Sequence, residues 1–266
     1  DAAVAVVNSH PGVSHNYLRN HDFNLWYTVA VAPTSTLGLE GTVDLLHTLS
    51  GADATRLLPT LKLFKIGVRF DMGGKSAPSA KSKPVYTEKN RVDAGALTDT
   101  EIDFVRLMQR DLDLVPEPFV AVAEALGISF ADAAAIHEQF LATGRMRRFA
   151  ALLHHRKVGF AANAMGVWAG PADDPEALQA IGETMAGFSA VSHCYQRPSY
   201  PDWPYNLFTM VHGKSTEECE ETLAAISEAT GITERHALYS SHEFKKVRVH
   251  YFMEAEADWE HRHAGG

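Results

Sequence analysis

Apolar residues recur along this chain at two spacings, and the switches between them mark its elements. Three segments in the middle carry the helical spacing. TDTEIDFVRLMQRDL starts with Thr98 as a plausible N-cap and Glu101 in capping-box position, PEPFVAVAEALG runs from Pro116 to Gly127, and SFADAAAIHEQFLATG runs from Ser129 to Gly144. The tight ALGIS turn between the second and third predicts a compact helix-turn-helix. After Gly144, RMRRFAALLHH and the stretch from Lys157 to Trp168 read as a hairpin wing running into a strand. An amphipathic helix at PADDPEALQAIGETMAG follows, then a strand through Ser192 to Tyr195, a Pro-rich loop, and a strand from Tyr205 to His212. A helix at TEECEETLAAISEATG and a strand from Phe244 to Phe252 complete the order βαββαβ.

Part of this order is written twice. VSHNYLRNHDFNLWYTV from Val13 returns as VSHCYQRPSYPDWPYNLFTM from Val191, with His, Tyr, Arg and an Asn-Leu pair in the same sequence. The first copy enters at the end of its first helix and ends at LKLFKIGVRFDM, so the pattern predicts a helix-turn-helix and a first strand upstream of Asp1. The expected fold is α+β: a winged helix-turn-helix plus duplicated ferredoxin-like βαββαβ domains, the first incomplete. The expected limits are 1–72 for the first ferredoxin-like domain, 73–96 for a Lys-, Ser-, Pro- and Gly-rich linker, 97–156 for the helix-turn-helix with wing, 157–253 for the second ferredoxin-like domain and 254–266 for a tail.

Composition narrows the function. With 45% apolar and 21% charged residues the chain is an ordinary globular one, and no apolar run approaches the ~18 residues of a membrane span. Two cysteines, Cys194 and Cys219, have no metal spacing and suit a reducing compartment, so a cytoplasmic location is expected. A net charge of −9 argues against nonspecific attraction to nucleic acid. Local charge differs: no acidic residue lies between Glu138 and Asp173, while Arg145, Arg147, Arg148, His154, His155, Arg156 and Lys157 do. These groups either decorate a solvated wing or receive a polyanion.

In the second copy, Val191, His193 and Tyr195 are expected on one face of their strand, and Asn206, Phe208, Met210 and His212 on one face of the next. Both histidines then line one pocket, beside a loop carrying Arg197, Tyr200, Trp203 and Tyr205. Histidine moves protons near neutral pH and ligates haem iron, though a lone strand histidine is more often structural. Lys246, Arg248 and His250 alternate on the last strand, as an anion contact or a guarded edge. The first copy keeps His15, Tyr17 and Arg19, has a shorter loop, and lacks an equivalent of the His212-Gly213 pair, so one working site per chain is expected. His21 is its own histidine and is placed to reach across to the partner copy.

The helix-turn-helix with a βαββαβ domain resembles the Lrp/AsnC regulators. VSHNYLRNHDFNLW, GRMRRFAALLHHRKVGFAANAMGVW and VSHCYQRPSYPDWPYNLFTMVHG resemble more narrowly the siroheme decarboxylases, in the fused two-subunit form of haem d1 formation. The resemblance implies removal of the carboxyl groups from two acetate side chains of siroheme, with no cofactor beyond the substrate's own iron. It carries the active-site histidines onto His193, and also onto His155 and His212. Substrate contacts are expected from Arg147, Arg148, Arg156, Tyr195, Arg197 and Trp203, with His15 and His21 as second-copy candidates. Siroheme is the expected partner, without DNA or membrane, in a homodimer or an internal pairing of the two copies. The alternative is a DNA-binding regulator with a small-molecule or haem effector. Against it, SFADAAAIHEQFLATG carries Asp132 and Glu138 and no Arg or Lys ahead of Arg145.

Overall fold

The computed structural model describes residues 2–67, 80 and 81, 95–146, 149 and 162–264. The first copy comprises α1 (Ala2–Ser9), β1 (Val13–Arg19), β2 (Leu25–Val29), α2 (Gly38–Ser50) and β3 (Lys62–Ile66). Helices α3 (Asp99–Met108), α4 (Phe119–Leu126) and α5 (Phe130–Ala142) form the middle module. The second copy comprises β4 (Ala162–Trp168), α6 (Pro175–Ala186), β5 (Val191–Gln196), β6 (Leu207–Gly213), α7 (Thr216–Thr230), β7 (Arg235–Leu238) and β8 (Ser240–Lys246), and α8 (Ala255–His263) follows. The α+β architecture with duplicated ferredoxin-like halves is the one expected from the sequence. Most of the expected wing and most of the linker lie outside the described residues.

Local chemistry explains where the helices begin and end. Thr98 and Glu101 close a capping box at α3, with Thr98 N–H donating to the Glu101 carboxylate at 2.8 Å. Ser129, Asp174 and Ser215 cap α5, α6 and α7 through the backbone N–H groups of Asp132, Ala177 and Glu218. Gly127 and Gly231, at φ 66° and 73°, end α4 and α7 in the left-handed conformation that glycine adopts without a Cβ clash. The three middle helices close over Phe104, Val122, Ala123, Ala133 and Phe140. Among the described residues no single helix is long and apolar enough to cross a membrane.

The sheets exchange strands between the copies. One has the order β3-β5-β6-β4-β7 and the other β2-β1-β8, so β3 of the first copy completes the second copy's sheet and β8 of the second completes the first's. An unpaired edge leaves main-chain donors and acceptors open, and each copy fills the other's. The chain passes from β7 to β8 at Tyr239, and so from one sheet to the other. Each exchanged strand also brings a lysine to a helix C-terminus of the other copy. Lys65 Nζ donates to Phe188 O at 2.7 Å beyond α6, and Lys245 Nζ to Asn8 O at 2.8 Å and His10 O at 3.3 Å at the end of α1. Ammonium groups satisfy carbonyls there that have no intrahelical partner.

Two expectations change in the C-terminal region. The last strand ends at Lys246 and not at Phe252, because its partner β1 has run out: Val247 N–H donates to Ser14 O, one residue from the start of β1. Arg248 and His250 therefore do not alternate on a strand with Lys246. Residues 251–253 lie instead against α3, where Gln109 pairs with the Tyr251 backbone and Arg106 Nε donates to Phe252 O at 2.8 Å. The stretch read as a tail folds as α8 and docks on the first copy. Trp259 is buried against His10 with Nε1 donating to Ser9 Oγ, and the Glu260 carboxylate takes hydrogen bonds from Ser35 and Thr36 just before α2.

Candidate functional site

The repeated Val-Ser-His phrase is a β-bulge in both copies. Register shifts between Val13 and His15 opposite β2, and again between Val191 and His193 opposite β6, leaving Ser14 and Ser192 as the extra residues. This corrects the expected alternation: the bulge turns Val191 into the core under the helices, with Cys194, while His193 and Tyr195 share the other face. Asn206 also stands apart from the β6 row, holding Gly170 through both its amide O and N atoms.

Along β5 that face carries a stack. The His193 and Tyr195 rings lie 6.0 Å apart, and the Arg197 guanidinium sits 5.0 Å from the Tyr195 ring centre. In β1 the same ladder recurs, with His15 6.0 Å from Tyr17 and Arg19 5.5 Å above it. Both arginines reach across the copies to a carbonyl, Arg19 to Leu238 O at 3.1 Å and Arg197 to Leu58 O. Burial lowers the pKa of both below the usual arginine value.

The two ladders differ in what faces them. By register, Ile66 and Leu63 of the exchanged β3 stand opposite His193 and Tyr195, and Met210 of β6 flanks His193. Opposite His15 and Tyr17 stand Lys246 and Glu243, which form an ion pair at 3.8 Å. Burial lowers the His15 pKa, and Lys246 lowers it further against the opposing pull of Glu243. Ser192 Oγ lies 2.8 Å from His193 Nδ1 and 2.7 Å from His212 Nε2, so one buried hydroxyl joins two imidazoles. Ser14 Oγ likewise lies 2.9 Å from His15 Nδ1, but its second partner is the Thr28 hydroxyl at 2.8 Å. Ala30 occupies the His212 position there: Ala30 N–H donates to Gly12 O as His212 N–H donates to Ala190 O.

The Pro-rich loop is a clasp between the copies. Tyr200 Oη donates to Leu57 O at 2.6 Å, and Arg56 forms a forked pair with Asp202, Nε to Oδ1 at 2.9 Å. Trp203 is buried at the junction, 5.1 Å from His21 and 5.3 Å from Trp26 of the first copy and 5.0 Å from Tyr205. His21 thus reaches into the second copy, where His236 lies 5.2 Å away. Its pKa is lowered by burial first and by His236 second.

The structure therefore brings His193, His212 and Tyr195 together, sets Arg197 and Trp203 at the seam with His21, and keeps His15 in the other sheet. His155, Arg147, Arg148 and Arg156 lie outside the described residues. Sequence reading missed Ser192 and the apolar pair Leu63 and Ile66. The serine was visible in both copies of the phrase, whereas the β3 residues reach this face through an exchange that no local pattern encodes. Among the described residues no cluster of three or more His, Cys, Asp or Glu side chains is arranged to hold a metal ion.

Comparison with known proteins follows the same division of the chain. A family described as the AsnC-like ligand binding domain matches residues 1–65 and 157–245. The chain is similar to a siroheme decarboxylase of Hydrogenobacter thermophilus, 39% identical over 253 residues that cover 95% of this chain and 73% of the relative. A siroheme decarboxylase beta subunit of Methanosarcina barkeri is 44% identical over 150 residues, 56% of this chain and 97% of the subunit. The crystal structure of the siroheme decarboxylase NirDL in co-complex with an iron-uroporphyrin III analogue superposes with a TM-score of 0.72 at 34% identity, covering 99% of this chain and 73% of that one.

Proposed function

Because this chain belongs to the siroheme decarboxylase family, with the AsnC-like ligand binding domain in both copies, we propose that it removes the carboxyl groups of two acetate side chains of siroheme at the His193 face of the second copy. The observation that carries this placement is the contrast between the ladders. Around His193 the exchanged strand supplies Leu63 and Ile66, and a second histidine joins through Ser192; around His15 the same positions hold Glu243, Lys246 and Ala30. A flat apolar macrocycle fits the first setting, since an apolar wall faces its ring and desolvates an acetate held there.

The chemistry needs a sink for an electron pair and a proton to replace the lost group. Loss of carbon dioxide leaves the pair on a methylene conjugated with the macrocycle, which is the sink. His193 donates the proton at that carbon, drawing on one positive charge held by the histidine pair it forms with His212: acetate carboxylate plus the singly charged pair gives methyl, carbon dioxide and the neutral pair. Charge and atoms balance with nothing beyond the substrate's own ring and iron. Tyr195 serves as a wall of the site, with Arg197 and Trp203 behind it fixing the ring. Arg147, Arg148 and Arg156 are assigned to the rim carboxylates, with His155 beside them, on the charge pattern of their sequence. The paired copies within one chain stand in for a pair of subunits, as the near-complete match to a separate beta subunit suggests.

His193→Ala is expected to lower decarboxylation of siroheme under anaerobic conditions by about 10²- to 10⁴-fold while pigment binding persists. Unchanged turnover would rule out His193 as the acid.

A further inference from the structure

We propose that Ser192 is a proton relay that carries charge from His212 to His193 during the reaction. This rests on the reading of His193 as the acid and extends it to residues not in contact with the reacting carbon. A hydroxyl has one proton to donate and lone pairs to accept with; the Met210 carbonyl, at 3.3 Å, is its more distant acceptor, and between the two nearer imidazole nitrogens it donates to one and accepts from the other. Ser192 Oγ meets His193 Nδ1 at 2.8 Å and His212 Nε2 at 2.7 Å, both within hydrogen-bond range, and the serine is buried at 3% exposure. Its place as the extra residue of the bulge is what aims the hydroxyl between a residue of its own strand and one of β6.

In the starting state His212 is the imidazolium, its Nε2–H donating to Ser192 Oγ, and the serine O–H donates to His193 Nδ1. His193 Nε2–H, on the nitrogen Ser192 does not contact, points to the methylene. When carbon dioxide leaves, the Nε2–H bond of His193 breaks as the C–H bond forms. The serine proton passes to His193 Nδ1, and the His212 Nε2 proton passes to the serine oxygen. Both histidines end neutral, the hydroxyl is restored, and the positive charge of His212 has cancelled the negative charge on carbon. A proton taken up by the histidine pair between turnovers restores the starting state. The first copy is the internal contrast: Ser14 holds His15 Nδ1 in the same way, but the chain ends at the Thr28 hydroxyl, which has no ionisable proton to give near neutral pH.

The test combines a pigment-free and a catalytic measurement. In the pigment-free protein, ¹⁵N spectra of Ser192→Ala should show both His193 Nδ1 and His212 Nε2 displaced from their wild-type shifts; an unmoved pair would overturn the hydrogen-bonded link. In single turnover with siroheme, the wild-type rate should fall along a curved line as D₂O replaces H₂O, the mark of several protons in motion. Ser192→Ala should lose about 10- to 100-fold in kcat with KM nearly unchanged and give a straight line, and Ser192→Thr should restore rate and curvature. Ser14→Ala should leave both as in wild type. A straight line for the wild type, or full rate and curvature in Ser192→Ala, would overturn the relay. Absence of any decarboxylation by the wild-type protein would instead remove the function proposed above, with the nitrogen shifts still deciding the link.

Discussion

At the scale of single residues, His10 shows how the fold sets a charge state. It is fully buried against Trp259, and Gly12 N–H donates to its Nδ1 at 3.0 Å. Burial lowers its pKa to about 4, with Glu260 pulling upward and Lys245 adding to the depression. The folded protein thus holds His10 neutral, while the unfolded chain binds a proton near pH 6.5. Stability from this residue is complete above that value and declines as pH falls from 6.5 towards 4. Phe188 holds the matching position in the second copy, taking Lys65 on its carbonyl as His10 takes Lys245. His10→Phe is therefore expected to flatten this part of the pH dependence, read as urea midpoints at pH 7 and pH 4.5; an unaltered slope would show that His10 does not cause it. The histidines of both ladders were legible in the sequence because the phrase repeats. Their different surroundings were not, since Ile66 and Lys246 sit far from them along the chain.

At the scale of elements, helices were legible to within a few residues where a cap marks them, as at Thr98 and Ser129. The last strand was not. The alternation of VRVHYF from Val247 reads as a strand, but the length of β1 decides where pairing stops. SSHEFKK, which does pair, is largely exposed and carries little apolar signal. The bulge at Val191 likewise breaks the period that assigned its face. The exchange of β3 and β8 between the copies was invisible in sequence, although each strand carries a lysine that meets the other copy's helix. Lys65→Met and Lys245→Met keep the stem and remove the ammonium, leaving carbonyls beyond α6 and at the end of α1 without that donor. Each is expected to cost about 1–2 kcal/mol in chemical denaturation. A double variant with no loss would show that these contacts contribute nothing to the exchange.

At the scale of the whole molecule, the two copies form one body through strand exchange, the seam at Trp203 and the α8 clasp, and the helix-turn-helix is tied to it through residues 251–253. The α5 helix ends without a basic residue, and Asp132 near its start is held by Ser129. In a chain of net charge −9, the module is expected to act as scaffold, and a gel-shift against genomic DNA at low salt should show no sequence-selective complex. A tight, selective band would favour a regulator. The duplication itself supplies the most direct test of where the chemistry occurs. Siroheme is incubated anaerobically with the wild type, His193→Ala and His15→Ala, and the pigment is weighed by mass spectrometry. Loss of two carbon dioxide units is expected with the wild type and with His15→Ala, and unreacted pigment with His193→Ala. Full conversion by His193→Ala together with none by His15→Ala would contradict the placement of the chemistry at His193.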